Sequence, residues 1–244
     1  MKKAAAIAVC LAVLVLAGCH YYSPPSDRAL KKRYAADDYP ANPIPGLKQV
    51  AIVTLDASVT DHADLLAFTT ALHTQLQSIE GLEVAPDRAA LDTMDAYGLV
   101  LPRDGLKLAD TMHVDGLFVA IVTDYNPYGQ PAASVGLVLF SRATAPVRRA
   151  DIDRIVQGGR PLALPTSETS KPVTAVFGVF DASQATTRKH IEWFAAGQSV
   201  GEAGLGWERY YRSMPLFMRF VSYEMVWKMF DQLQVERSMQ NRGG

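Results

Sequence analysis

Residues 116–125 read Gly-Leu-Phe-Val-Ala-Ile-Val-Thr-Asp-Tyr and give the strongest strand signal in the chain. Their central positions are apolar without alternation, so both faces must be covered, as in a central strand of a layered α/β protein. The following Asn126-Pro-Tyr-Gly129 has the residue types of a turn. We therefore expect residues 134–140 to return as an antiparallel partner strand.

Working outward from this hairpin, the pattern predicts an α/β fold. Helical spacing of apolar residues marks one helix to about residue 79, and two short helices between residues 87 and 112. Two further helices, rich in aromatic residues, close the chain after residue 186. The fold class expected is a mixed-sheet α/β sandwich with an antiparallel hairpin and aromatic C-terminal helices. The other predicted strands are 49–55, 82–84 and 173–180.

Helix boundaries are predicted from capping residues. Thr60 or Asp61, Asp87 and Asp104 are expected to cap the starts of the first three helices of the domain. Gly81 and Gly98 are expected to end the first two of them, because glycine adopts the left-handed conformation that closes many helices.

The amino terminus has the layout of an export signal. Met1-Lys2-Lys3 precedes an apolar run from residue 4 to residue 17. A helix of about 14 residues spans roughly 20 Å, less than the ~30 Å of a bilayer core, so a stable membrane-spanning helix is the weaker interpretation. Leu16-Ala17-Gly18-Cys19 resembles the bacterial lipoprotein signal, in which cleavage precedes a cysteine that is then acylated, with palmitate among its chains. An ordinary secretory signal beside a chance cysteine is the alternative.

We predict four regions. A lipoprotein signal peptide covers 1–18, and the lipidated Cys19 begins a proline-rich, semi-extended tether over 19–46. A single α/β domain covers 47–235, with a surface insertion at 142–172, and a tail covers 236–244. The tether holds a basic cluster from Arg28 to Arg33, interpreted as a solvated segment, with contact to anionic head groups as the alternative.

Charge and cysteine count exclude several classes of function. The chain has 24 basic and 25 acidic side chains, and loss of Lys2 and Lys3 with the signal leaves 22 basic against 25 acidic, a net charge of −3. A nucleic-acid partner is therefore not expected. Both cysteines lie within the first 19 residues, which excludes a disulfide scaffold, a thiolate zinc site and a cysteine-dependent enzyme in the mature chain.

No motif predicts catalysis, a metal site or a cofactor. Gly197-Gln-Ser-Val-Gly201 matches the nucleophile elbow of α/β-hydrolases, but it follows a helix and no histidine comes after it. Asp61, His62 and Asp64 are interpreted as a helix start. Asp124 and Asp181 end strands, where α/β sites gather, and they are interpreted as turn acceptors.

The carboxyl-terminal segment is the most aromatic part of the chain. Its apolar face is wide and must be buried. Packing on the sheet is the favoured interpretation, and a surface for a partner is the alternative. The residues assigned to that interaction surface are Trp207, Tyr210, Tyr211 and Phe217.

The strand Val114–Gly129, the opening strand at residues 50–55 and the helices between them resemble one group of bacterial lipoprotein domains. These are the CsgG-type curli-secretion lipoproteins, the penicillin-binding-protein activator lipoproteins and the amino-terminal domain of TolB. The resemblance implies a non-enzymatic module that binds proteins or assembles in the cell envelope. In enterobacterial lipoproteins an Asp after the acylated cysteine favours retention in the inner membrane. The resemblance of residues 16–19 to a lipoprotein signal, with His20 in that place, therefore implies a lipid-anchored protein on the periplasmic face of the outer membrane.

The partners expected are therefore the membrane itself, through the lipid anchor, and envelope proteins or further copies of the chain. A CsgG-type pore is disfavoured, because residues 126–133 and 142–172 lack the alternation of a membrane barrel. The alternative function is an envelope hydrolase or small-ligand binder that uses the carboxylates of Asp124 and Asp181.

Overall fold

The structure is a computed structural model that describes residues 26–35, 42–58, 65–101, 103–142, 172–198 and 206–242. Within them lies one five-stranded sheet, in the order second, first, third, fourth and fifth strand. The first three strands are parallel, and the fourth is antiparallel to both of its neighbours. This mixed sheet confirms the predicted fold class and the antiparallel hairpin. The strands are β1 (Gln49–Asp56), β2 (Glu83–Val84), β3 (Gly116–Asn126), β4 (Ala132–Ser141) and β5 (Thr174–Asp181).

Helices cover both faces of the sheet, as the apolar run of β3 requires. The helices are α1 (Asp27–Ala35), α2 (Leu65–Gln77), α3 (Ala89–Tyr97), α4 (Gly105–Thr111), α5 (Ala185–Gln198), α6 (Arg209–Arg212) and α7 (Met214–Arg242). On one face α3 packs on β1, and α4 packs on β3 and β4. On the other, α2 packs on β1 and against α7, which also covers β4 and β5.

The core follows the alternation of the strands. Val53, Val119 and Phe140 are buried on the side of α3 and α4. Phe118 and Ile52, each one position out of phase, are buried on the opposite side. The arrangement is therefore three layers, helix on sheet on helix.

Helix α1 belongs to a first compact unit that ends at Tyr34, and the remaining elements belong to a second unit that begins at Ala35. The expectation of extended chain was wrong for Asp27–Ala35. No proline interrupts these nine residues, and Ser26 caps the helix by accepting a hydrogen bond from the amide of Ala29 at 3.4 Å. Asp27 in the first turn and the basic residues in the last turn also complement the helix dipole.

The predicted helix ends are partly confirmed. Gly98 closes α3 with φ of 60°, and its N–H bonds to the carbonyl of Met94. Asp104 occupies the N-cap position of α4 as predicted, but its carboxylate accepts a hydrogen bond from the amide of Val100, 2.9 Å away, and none from the first turn of the helix. Asp87 was wrong as a cap, because it pairs with the imidazole of His73 on α2. Thr60 and Asp61 lie outside the described residues.

Candidate functional site

Two of the four aromatic residues assigned to an interaction surface belong to the core. Tyr210 is 2% exposed and Phe217 is fully buried. The ring of Phe194 on α5 contacts that of Tyr210 edge-on, with centroids 5.6 Å apart, and that of Phe220 on α7 at 5.8 Å. The predicted surface is therefore corrected for two residues. Tyr210 packs against α5, Phe217 is enclosed in the core beside Phe220 of its own helix, and neither side chain reaches solvent. The favoured interpretation of the aromatic segment, packing on the sheet, is confirmed by the contacts of α7 with β4 and β5.

The other two residues form a half-buried pair at the surface. Trp207 lies in the 3₁₀ turn Gly206–Glu208 and Tyr211 in α6, four positions later, so both project from the same side. Their rings meet edge-on, with centroids 4.8 Å apart and planes at 84°. We call Trp207 and Tyr211 the aromatic pair.

The hydroxyl of Tyr211 is unusual, because it is buried and has no hydrogen-bond partner among the described residues. Burial raises the pKa of Tyr211, and the positive charge of Arg188 opposes that shift. The carboxylates of Glu192 and Glu208 add to the rise. A buried hydroxyl without a partner costs about 1–3 kcal/mol, so a donor or acceptor supplied by another molecule would recover free energy there.

Charged side chains surround the aromatic pair. Glu208 and Arg212 form an exposed ion pair with an N–O distance of 3.8 Å, and Arg188 and Glu192 approach from α5. An aromatic centre inside a polar rim is the usual anatomy of a protein-binding surface.

The strand-end carboxylates do not form a common site in the described residues. Asp124 and Asp181 lie at the same end of the sheet, with β4 between their strands. Asp124 is exposed, whereas the carboxylate of Asp181 accepts hydrogen bonds from the amide and hydroxyl of Ser183, which lower its pKa. Asp181 is thus the turn acceptor that the sequence predicts.

A shallow cavity of about 490 Å³ lies at the opposite end of the sheet. The carboxylate of Asp115 in the cavity wall already has a structural role. It accepts hydrogen bonds from the amides of Lys48 and Gln49, each at 2.9 Å. These bonds lower the pKa of Asp115, so it stays ionised and joins the start of β1 to the start of β3. The cavity is lined by Lys48, Gln49, Gly81, Leu82, Glu83 and Asp115.

One contact of β5 was not predicted from the sequence. The ammonium of Lys228 on α7 donates a hydrogen bond to the carbonyl of Phe177 on β5. The amide of Ala182 donates a hydrogen bond to the carbonyl of Pro131 on the side of β4. In an antiparallel pair the backbone groups of every second residue point to the partner strand, so those of Phe177, five positions earlier, point away from β4 to the outer edge of the sheet. Lys228 thus contacts the edge of β5 that has no neighbouring strand among the described residues.

The remaining predicted positions have separate outcomes. Cys19 and the motif residues Leu16, Ala17 and Gly18 lie outside the described residues, so lipid attachment stays a prediction. Ser199 and the cluster at residues 61–64 also lie outside them. In the part of the chain that is described, no group of three or more His, Cys, Asp or Glu side chains could hold a metal ion. None of the described helices is both long and apolar enough to cross a bilayer.

Comparison with known proteins finds distant structural neighbours. No family model and no curated protein matches the chain. A lipoprotein of Neisseria meningitidis, GNA1162, is similar over 55% of this chain and 80% of its own, at 15% identity and a TM-score of 0.34. The hypothetical protein CT253 of Chlamydia trachomatis is similar over 77% and 94%, at 11% identity and a TM-score of 0.36. A PelC dodecamer of Paraburkholderia phytofirmans is similar over 77% and 89%, at 14% identity and a TM-score of 0.35. At these identities the likeness concerns the fold alone.

Proposed function

We propose that the chain is a lipid-anchored lipoprotein of the bacterial cell envelope whose α/β domain is a non-enzymatic protein-interaction module. Cys19 would carry the acyl chains, and the domain would face the periplasm from the outer membrane. The lipoprotein signal at residues 16–19 supports the anchor. The resemblance to CsgG-type and penicillin-binding-protein activator domains remains part of this proposal.

The observation that carries the interaction role is the aromatic pair. Trp207 and Tyr211 present a half-buried edge-on contact, and the buried hydroxyl of Tyr211 has no partner among the described residues. Tryptophan and tyrosine dominate the binding energy of many interfaces, especially where a polar rim excludes water. A partner protein that hydrogen-bonds this hydroxyl would fit the site chemically.

Photocrosslinking in intact cells tests the interaction. A photoreactive amino acid replaces Trp207, and the control carries it at Tyr97, which is 66% exposed on α3 on the other face of the sheet. We expect a discrete crosslinked protein from position 207 alone. Equal products from both positions, or none from position 207, would contradict an interface at the aromatic pair.

Fractionation tests the anchor separately. Cys19→Ser removes the acylated thiol, so at high ionic strength, which screens contacts with charged lipids, the protein should leave the membrane fraction and appear in the soluble periplasmic fraction. The control Cys10→Ser changes a cysteine within the predicted signal peptide and should stay membrane-bound. Unchanged fractionation of Cys19→Ser would refute lipid anchoring.

A further inference from the structure

Helix α1 presents three cations on one side. Arg28, Lys31 and Lys32 are exposed, and their spacing of three and four positions places them on a single helical face. Leu30 and Tyr34, at 9% and 5% exposure, lie on the other side of the helix. We call Arg28, Lys31 and Lys32 the basic face of α1.

The three cations of the basic face have no local partners among the described residues. None of the three side chains forms an ion pair or a hydrogen bond in that part of the chain. Arg33, the fourth cation of the helix, is used locally instead. It lies over the ring of Tyr34, 4.9 Å from the centroid, and donates to that hydroxyl at 3.2 Å. The three remaining charges are therefore available to an anionic surface.

The position of α1 in the chain selects that surface, and this step rests on the proposed lipid anchor at Cys19. Asp27 follows Cys19 by eight residues, which span at most about 28 Å when fully extended. A helix held that close to the bilayer samples the layer, about 10 Å deep, in which surface charge is felt. Anionic phospholipids are the negative groups that the anchor itself brings within reach.

We propose that the basic face of α1 binds the anionic head groups of the membrane to which the chain is anchored. Each Lys or Arg near such a surface strengthens binding about fivefold. Three of them add roughly 100-fold in an unlipidated chain. The acyl chains would then fix attachment, and α1 would add an electrostatic contact with the bilayer surface.

Vesicle sedimentation tests the proposal with the mature chain, residues 19–244, carrying Cys19→Ser so that no acyl chain contributes. We expect binding to vesicles containing phosphatidylglycerol, little binding to pure phosphatidylcholine, and loss of binding at high salt. The triple variant Arg28→Gln, Lys31→Gln, Lys32→Gln should bind phosphatidylglycerol vesicles roughly 100-fold more weakly.

A matched control removes three exposed cations of the second unit, with Arg88→Gln, Lys107→Gln and Lys189→Gln, and should keep the binding. Equal losses in the two variants, or equal binding to both kinds of vesicle, would overturn the proposal. Circular dichroism of each variant verifies that the fold is intact. Because the assay contains no acylated protein, its result is independent of the fractionation test of Cys19.

Discussion

The ammonium of Lys228 donates a hydrogen bond to the main-chain carbonyl of Phe177 on β5. Burial lowers the pKa of Lys228, and the nearby carboxylate of Glu224 opposes that shift. Within the described residues β4 is the only sheet neighbour of β5, so the contact occupies an edge that could otherwise pair with another strand. Lysine at an exposed edge is a common protection against such pairing.

Lys228→Met should promote self-association. Methionine keeps the length of the side chain but cannot donate to Phe177, so the carbonyl becomes available to a strand of another molecule. Sedimentation velocity should show a higher average mass than the parent chain, rising with concentration. Lys107→Met, at an exposed lysine of α4, is the control and should behave as the parent. Identical masses for the two variants would refute the protective role.

Tyr211→Phe should separate stability from binding. Removal of a buried hydroxyl that lacks a partner is expected to raise the free energy of unfolding of the isolated chain by about 1 kcal/mol. The same change should weaken partner capture, because the partner loses its hydrogen bond. Urea unfolding and crosslinking yield measure the two effects. Tyr97→Phe, at an exposed tyrosine, should change neither, and a destabilised Tyr211→Phe would show that the hydroxyl is satisfied in the free protein.

Gly105→Ala should destabilise the fold through a steric clash. A Cβ atom at residue 105 would lie 2.8 Å from the ring of Phe140, which is fully buried and cannot move aside. We expect a loss of about 1–3 kcal/mol, larger than the gain in helix propensity at the first residue of α4. Gly136→Ala is the matched control, because its Cβ would meet no atom closer than 4.0 Å. Urea unfolding should leave this control near the parent, and equal losses in the two variants would contradict the clash.

Asp115→Asn should make unfolding less dependent on pH. The amides of Gln49 and Lys48 lower the pKa of Asp115 in the folded state. The contribution of Asp115 to folding stability is therefore fully present above its unfolded pKa of about 3.9, and it is lost as the pH falls through the lower pKa of the folded state. At pH 7 we expect the variant to be less stable by about 1 kcal/mol, since solvent screens this exposed group. The gap should narrow below about pH 3. Asp95→Asn on α3 serves as control, and a constant gap across pH would refute the charged role of Asp115.

The order of the elements could be predicted because it depends on local patterns. The uninterrupted apolar run of β3 requires cover on both faces, and the turn at residues 126–129 fixes its antiparallel partner. The helix caps could not be predicted as reliably. An aspartate carboxylate can accept a hydrogen bond from many kinds of donor. In this fold the imidazole of His73 pairs with Asp87 and the amide of Val100 donates to Asp104, in place of the amides at the helix starts.

The candidate site could not be predicted fully, because it depends on contacts between distant parts of the chain that the spacing of apolar residues does not determine. Spacing places Phe217 on an apolar face but does not say that the fold encloses it, which is why Tyr210 and Phe217 were misassigned. The role of Lys228 depends on β5 being an edge strand, and strand order is a property of the whole sheet. The basic residues of α1 were visible in the sequence, but their common face requires the helix.

The two edges of the sheet differ greatly in length, because β2 has two residues and β5 has eight. An open fibre built by strand addition needs two different edges that fit each other, whereas a single long edge can pair only with its own copy. Among the described strands β5 offers the one long edge, so edge-to-edge pairing of two copies through β5 would give a closed twofold dimer with antiparallel strands. Pairing of this kind closes at two molecules. Loss of the Lys228 contact would therefore lead to a dimer and not to a fibre.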